Sequence, residues 1–229
     1  MRVLLLLVPA VGIAAELLPI NDLRIGVDYS LAPEIEERVA TTTHRADYDW
    51  VDNRGLTRRV QIEYANGMHR RGVAQPGFLW TLGLFWSETD IRPRSFEQHG
   101  GGAVANVRKR LALDYHQYGA AVGAGWATRP HITEYGEYTW EFLPVVRGGY
   151  ARAATPDGSL ARTKTGDGSF WEVGGQIGWT LQDAGWLLNL HGGWVYGQAE
   201  VPVRITGGTS DLVIRRNVPE VGLSIGVRF

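Results

Sequence analysis

Val221-Gly222-Leu223-Ser224-Ile225-Gly226-Val227-Arg228-Phe229 stands at the end of the sequence, and its alternation decides how the rest is read. The odd positions are all apolar and finish on an aromatic ring. The even positions are glycine, serine or arginine. Successive side chains of a β-strand point to opposite faces, so this segment reads as a strand with one wholly apolar face and one small or polar face. A helix would distribute both sets around its axis instead.

Working back from this strand, the same period of two recurs. Leu23, Ile25, Val27, Tyr29 and Leu31 oppose Arg24, Gly26, Asp28 and Ser30, and Trp186, Leu188, Leu190 and Trp194 oppose Asn189, His191 and Gly193. Eight such segments are expected, at about 22–32, 57–66, 77–88, 118–127, 138–150, 169–181, 186–200 and 213–229. Gln182-Asp183-Ala184-Gly185 makes a tight hairpin. Short connections at 67–76, 128–137 and 182–185 then fall on one side, and long ones at 33–56, 89–117, 151–168 and 201–212 on the other. Weak alternation at 38–50 and 105–116 keeps a ten-strand count open, and Val104, Val107 and Leu111 also have the spacing of a short helix.

Composition narrows the function classes. The 229 residues carry 23 Lys+Arg against 24 Asp+Glu, so the basic excess of a general nucleic-acid binder is missing. No cysteine is present, which removes disulfide frameworks and thiolate metal sites. No histidine spacing points to a metal, and no cofactor is expected. Lys109 and Lys164 are the only lysines, leaving 23 − 2 = 21 arginines. Arginine stays charged when buried and forks onto carboxylates or phosphates, although arginine-favouring codons would give the same bias. At the other end, Arg2 precedes an uncharged run from Val3 to Ala15, too short for a membrane helix and fitting a secretory signal over residues 1–15. A barrel domain is then expected over 16–229.

Alternation alone would also suit a soluble sandwich. Three features favour an antiparallel, up-and-down transmembrane β-barrel of eight strands. Aromatics sit near both ends of the apolar face: Tyr118 and Trp126, Trp171 and Trp179, and Trp186 and Trp194 are each eight residues apart. At about 3.3 Å per residue and about 40° of tilt, that spacing covers roughly 20 Å of the membrane normal. Trp80, Trp86, Trp140 and Phe229 complete the expected lipid-interface set. The opposite face mixes charged residues with glycines, and the last strand ends on Phe229. With these residues the chain resembles the small Gram-negative outer-membrane barrels, of the broad OmpA/OmpX/OmpW class. The Val221–Phe229 tail is similar to their C-terminal insertion signal, which implies recognition by the barrel-assembly machinery.

Eight strands leave room inside only for side chains. Arg24, Arg59, Arg147 and Arg228 are expected there with Asp28, Glu63, Glu141, Glu172 and Glu220, alongside Gln176, Asn189 and His191, as a polar plug. Arg92, Arg94, Arg108, Lys109 and Arg110 make one outer connection basic and are candidates for contact with lipopolysaccharide phosphates. Gly222-Leu223-Ser224-Ile225-Gly226 matches a G-x-S-x-G nucleophile elbow on paper, but that motif needs a strand-to-helix turn and here lies within a strand. Asp114, His116, His44, Asp47, Ser210 and Asp211 could build a hydrolytic rim acting on lipid A or phospholipid. No catalytic residue is assigned. A structural or surface-interaction barrel touching lipid or an external partner is the leading expectation, ahead of a narrow, OmpW-like or porin-like transporter and a rim hydrolase.

Overall fold

A computed structural model describes residues 17–42, 45–70, 77–101, 113–157, 162–205 and 207–229. The expected leader at 1–15, together with His44, Arg108, Lys109 and Arg110, lies outside the described residues. The strands are β1 (Leu17–Leu31), β2 (Glu34–Thr41), β3 (Arg45–Val51), β4 (Leu56–Arg70), β5 (Gly77–Ile91), β6 (Ser95–Gly101), β7 (Leu113–Ala127), β8 (His131–Thr133), β9 (Gly136–Asp157), β10 (Arg162–Asp183), β11 (Trp186–Ile205) and β12 (Gly208–Arg228). All pairings are antiparallel. The order β1-β4-β5-β7-β9-β10-β11-β12 closes on itself because β12 also pairs with β1.

The wall is therefore a ring of eight strands, and its stagger can be read from the ladder. Starting at Ile25, successive partners are Ile62, Leu84, Ala120, Gly148, Trp171, Gln198 and Arg215. Ile25 itself pairs with Ile225 on the same final strand. The stagger is 225 − 215 = 10 residues. With residues about 3.3 Å apart and strands about 4.8 Å apart, ten residues over eight strands tilt the wall by about 40°.

Residues expected in long outer connections are largely strand, a correction to the sequence reading. β2 continues β1 past Ala32 and Pro33, β3 leads into β4 across residues 52–55, and β6 continues β5 past residues 92–94. β2, β3 and β6 thus stand on existing wall positions. The alternation near 38–50 adds height rather than a ninth and tenth strand. Gly55 has φ +146°, and an added Cβ would come 2.2 Å from the Asp90 carbonyl oxygen, so the step between β3 and β4 needs glycine. At the opposite end, Ala184 (φ 47°) and Gly185 (φ 86°) form the two-residue turn between β10 and β11.

Two storeys result, and they are chemically inverted. In the lower one the outer face is apolar: Leu82, Leu84, Ile177 and Ile225 are each more than half exposed, while Arg24, Arg59 and Glu172 are buried inside. An apolar surface this extensive on a folded chain marks a membrane-facing belt. On β10 it runs from Trp171 to Leu181, and ten residues at the ladder's tilt cover roughly 25 Å, the height of a hydrocarbon band. Above it the strands keep phase but exchange chemistry. Leu212 and Ile214 of β12 and Val201 and Val203 of β11 turn inward, whereas Asp211, Arg215, Glu200 and Arg204 face out.

Depth follows from this register. Leu223 pairs with Val27 in mid-belt, so Leu223→Arg should lower stability by about 2–4 kcal/mol. Leu31→Arg, at the top of the belt, should cost about 0–1 kcal/mol. Urea titration of protein folded into lipid vesicles would read both, and equal costs at the two positions would contradict the assigned depth.

Candidate functional site

The lower storey holds two tiers of charge. In the first, nearer the β10–β11 turn, the Arg24 guanidinium donates to both oxygens of Glu141 at 2.7 Å and to Asp22 at 2.8 Å. Glu63 lies 3.9 Å from the same group. Thr180 donates to Glu141 at 2.8 Å, Asn189 Nδ2 donates to Thr180 at 2.8 Å, and Arg228 donates to Asp22 at 2.6 Å. Just above, His191 Nε2 stands 3.0 Å from Asp28 Oδ1, and His191 Nδ1 stands 2.8 Å from Asn189 Oδ1.

The second tier packs three guanidiniums around two carboxylates. Arg59 donates to Glu172 at 2.7 Å and to Glu220 at 2.5 Å. Arg147 donates to Glu220 and Arg216 to Glu172, both at 2.7 Å. Gln117 donates to Glu172 at 3.0 Å, and Gln176 reaches Glu220 at 3.4 Å. Phe85 places its ring 4.8 Å beneath the Arg59 guanidinium carbon, and it packs edge-on against Phe170. Every one of the twelve residues expected in the plug lies on the interior side of the wall.

Asp22, Arg216, Gln117 and Thr180 belong to the network and were not singled out from sequence. The signal was available: stepping back by twos from Arg228 leads through Glu220 to Arg216, and Asp22 sits two before Arg24. Above the second tier the interior turns apolar. Ile35, Trp50, Ile91, Leu113, Ala151, Ala153, Val201, Val203, Leu212 and Ile214 form one buried cluster with Phe85 and Phe170. Glu37 is the buried carboxylate of this storey, accepting from Trp50 Nε1 at 3.1 Å and Ser210 Oγ at 2.5 Å.

That contact separates Ser210 from the other described members of the expected hydrolytic rim, of which His44 lies outside the described residues. Ser210 faces inward and is fully buried, Asp211 faces out, and His116 stacks outside on Trp86 with ring centroids 6.2 Å apart. Ser224 of the G-x-S-x-G string is also an interior wall residue, with no turn beside it. Of the five residues expected to contact phosphates, Arg92 and Arg94 are the described ones. Arg92 donates to Asp90 at 2.6 Å, a bond that raises the arginine's already high pKa, and Arg94 lies 3.9 Å from Asp52. Both cations already face carboxylates of their own chain. Among the described residues no group of histidines and carboxylates is arranged to hold a metal.

No family model matches the chain, and no curated protein matches it. Solved structures do. It is similar to the outer membrane protein OprG from Pseudomonas aeruginosa, with 10% identity, 91% of this chain and 96% of that one covered, and a TM-score of 0.43. Neisserial surface protein A (NspA) shows 12% identity, coverage of 90% and 97%, and a TM-score of 0.34. Ail, the attachment invasion locus protein of Yersinia pestis, shows 14% identity, coverage of 91% and 99%, and a TM-score of 0.32. The likeness runs along nearly the whole chain and is confined to the course of the backbone.

The second tier sets a quantitative expectation. Glu172→Ala would leave Arg59 and Arg216 without their shared carboxylate, and breaking a buried pair from one side costs about 3–5 kcal/mol. Glu172→Ala combined with Arg216→Ala should cost less than the sum of the single changes, with a coupling of about 0.5–3 kcal/mol. Tryptophan fluorescence during urea unfolding reads each value, and strict additivity would dissolve the network into independent contacts.

Proposed function

We propose that this protein is a non-conducting outer-membrane barrel that raises a rigid, polar-walled storey above the lipid for contact with the surrounding surface. The observation that carries the reading is the double closure of the interior. Two tiers of ion pairs fill the lumen at membrane level, and an apolar core fills it above. A hydrated ion would have to displace both. The interior void beside Arg24, Glu63 and His191 is about 10 Å³, room for roughly one water.

The outer storey supports surface contact on chemical grounds. Its outward residues include Arg38, Arg45, Asp47, Glu200, Arg204, Asp211 and Arg215, a mixed-charge wall. Lipopolysaccharide and an external macromolecule are the partners proposed for it, and the Val221–Phe229 strand is proposed as the segment read by the assembly machinery. Export by the leader at residues 1–15 belongs to the same proposal.

Purified protein in a planar bilayer should give no steady channel, in potassium chloride or in a salt of larger ions. Liposomes carrying it should swell no faster in a small sugar than empty ones. A stable, large conductance from the unmodified chain would overturn the reading and put solute transport in its place.

A further inference from the structure

While Asp28 is ionised, the hydrogen bonds around His191 leave its ring no neutral form that satisfies them. Asn189 Nδ2 donates to Thr180 at 2.8 Å and points to Glu141 at 3.4 Å, so Asn189 Oδ1 is the atom facing His191 Nδ1 at 2.8 Å. That oxygen accepts only, and Nδ1 must carry a proton. On the other side Nε2 meets the Asp28 carboxylate at 3.0 Å, which as a carboxylate also accepts only. A neutral imidazole has one N–H and would set a lone pair against one of these oxygens.

Charge counting over the membrane-level interior reaches the same place independently. Asp22, Asp28, Glu63, Glu141, Glu172 and Glu220 are six carboxylates, and Arg24, Arg59, Arg147, Arg216 and Arg228 are five guanidiniums. Among the described residues one positive charge is missing. Asp28 has, among them, no arginine within ion-pair distance, whereas Glu63 stands 3.9 Å from Arg24, and the buried Asp28 Oδ2 has no hydrogen-bond partner.

We propose that His191 is a structural imidazolium, a proton-held latch that ties β11 to β1 across β12 and makes the barrel's closure sensitive to alkaline pH. This rests on the sealed-interior reading and adds the condition under which the seal holds. The latch spans one wall residue. Gly222 pairs with Asp28 on one side and His191 on the other, and an added Cβ there would lie 2.3 Å from both Asp28 Oδ1 and His191 Nε2. Glycine at 222 is what lets the two side chains meet. The other charges packed around the ring are Glu63 from β4, Glu141 from β9, Glu220 from β12 and Arg24 from β1, while β10 presents uncharged Gln176. Losing the His191 proton would leave Asp28 to Arg59, its ladder partner on β4, whose hydrogen bonds already go to Glu172 and Glu220.

The test uses the full-length protein folded in detergent micelles. Nitrogen-15 spectra of histidine-labelled protein should show both ring nitrogens of His191 protonated at neutral pH, assigned by the loss of the signal in His191→Gln. Unfolding in urea should speed up about tenfold on going to alkaline pH, the loss of one bond to a charged group. His191→Gln and Asp28→Asn, which each supply a partner needing no such proton, should lack that step. If neither variant folds, the nitrogen spectrum of the unmodified chain decides alone, assigned by its coupling to Gly222 protons. A singly protonated ring at neutral pH, or an alkaline step that survives in both variants, would overturn the latch. Either result leaves the conductance test of the sealed lumen untouched, so the two ideas fail separately.

Discussion

Eight strands closed with a stagger of ten residues enclose a space that side chains alone can fill. The wall must show lipid an apolar face, and strand periodicity then delivers every second residue to the inside. Those residues can be polar, since an all-apolar strand is not required for a β-barrel to cross a membrane. Once polar and buried, however, each needs a partner, because an unpaired polar group removed from water is costly. Arginine answers this geometry better than lysine. Arg59 alone serves Glu172 and Glu220, and Arg24 grips both oxygens of Glu141 while reaching Asp22. The five interior arginines give the skewed cation composition a structural use, whatever codon usage adds to it.

Legibility in the sequence ended where the chemistry, and not the conformation, changed. Around Leu223 or Ile177 the alternation is apolar outside and polar inside, so strands and faces can be assigned together. Farther along β12, the run Asp211-Leu212-Val213-Ile214-Arg215 keeps the same inward phase with Leu212 and Ile214 now on the inside. Read for a lipid-facing stripe, that segment looks like the frayed start of a strand. Read for phase alone, it is continuous with Arg216, Glu220 and Ser224. Both the missing outer strands and the missed Arg216 share this cause: polarity was used as the marker of a face when position was the more durable one. Pro33 and Gly55 mark steps between stacked strands and not the ends of a strand column.

The inversion also explains how one wall serves two solvents. A strand column that leaves the membrane loses the lipid that covered its apolar side chains, so apolar residues must move to the face that is still dry. Val201, Val203, Leu212 and Ile214 do this without a kink in β11 or β12, since only side-chain identity has to change. Hydrophobic burial then holds the upper storey together as it would a small soluble domain, and the lower storey relies on paired charges. The two meet inside the wall, because Leu79, Leu143 and Val145 of the lower storey belong to the same buried cluster as Ile35 and Ile214 above.

Glycine decides where those ionic groups can meet. Gly222 and Gly226 of the serine-containing string resemble a catalytic motif only while the string is read as letters. In the wall, an added Cβ at Gly226 would fall 2.2 Å from the Leu23 carbonyl oxygen, and one at Gly222 would fall between Asp28 and His191. The spacing of four between these glycines is twice the repeat of one strand face, and the serine midway between them shares that face. The motif is thus a consequence of barrel geometry: Gly222 lets Asp28 and His191 meet across β12, and Gly226 lets the backbone of β1 come close.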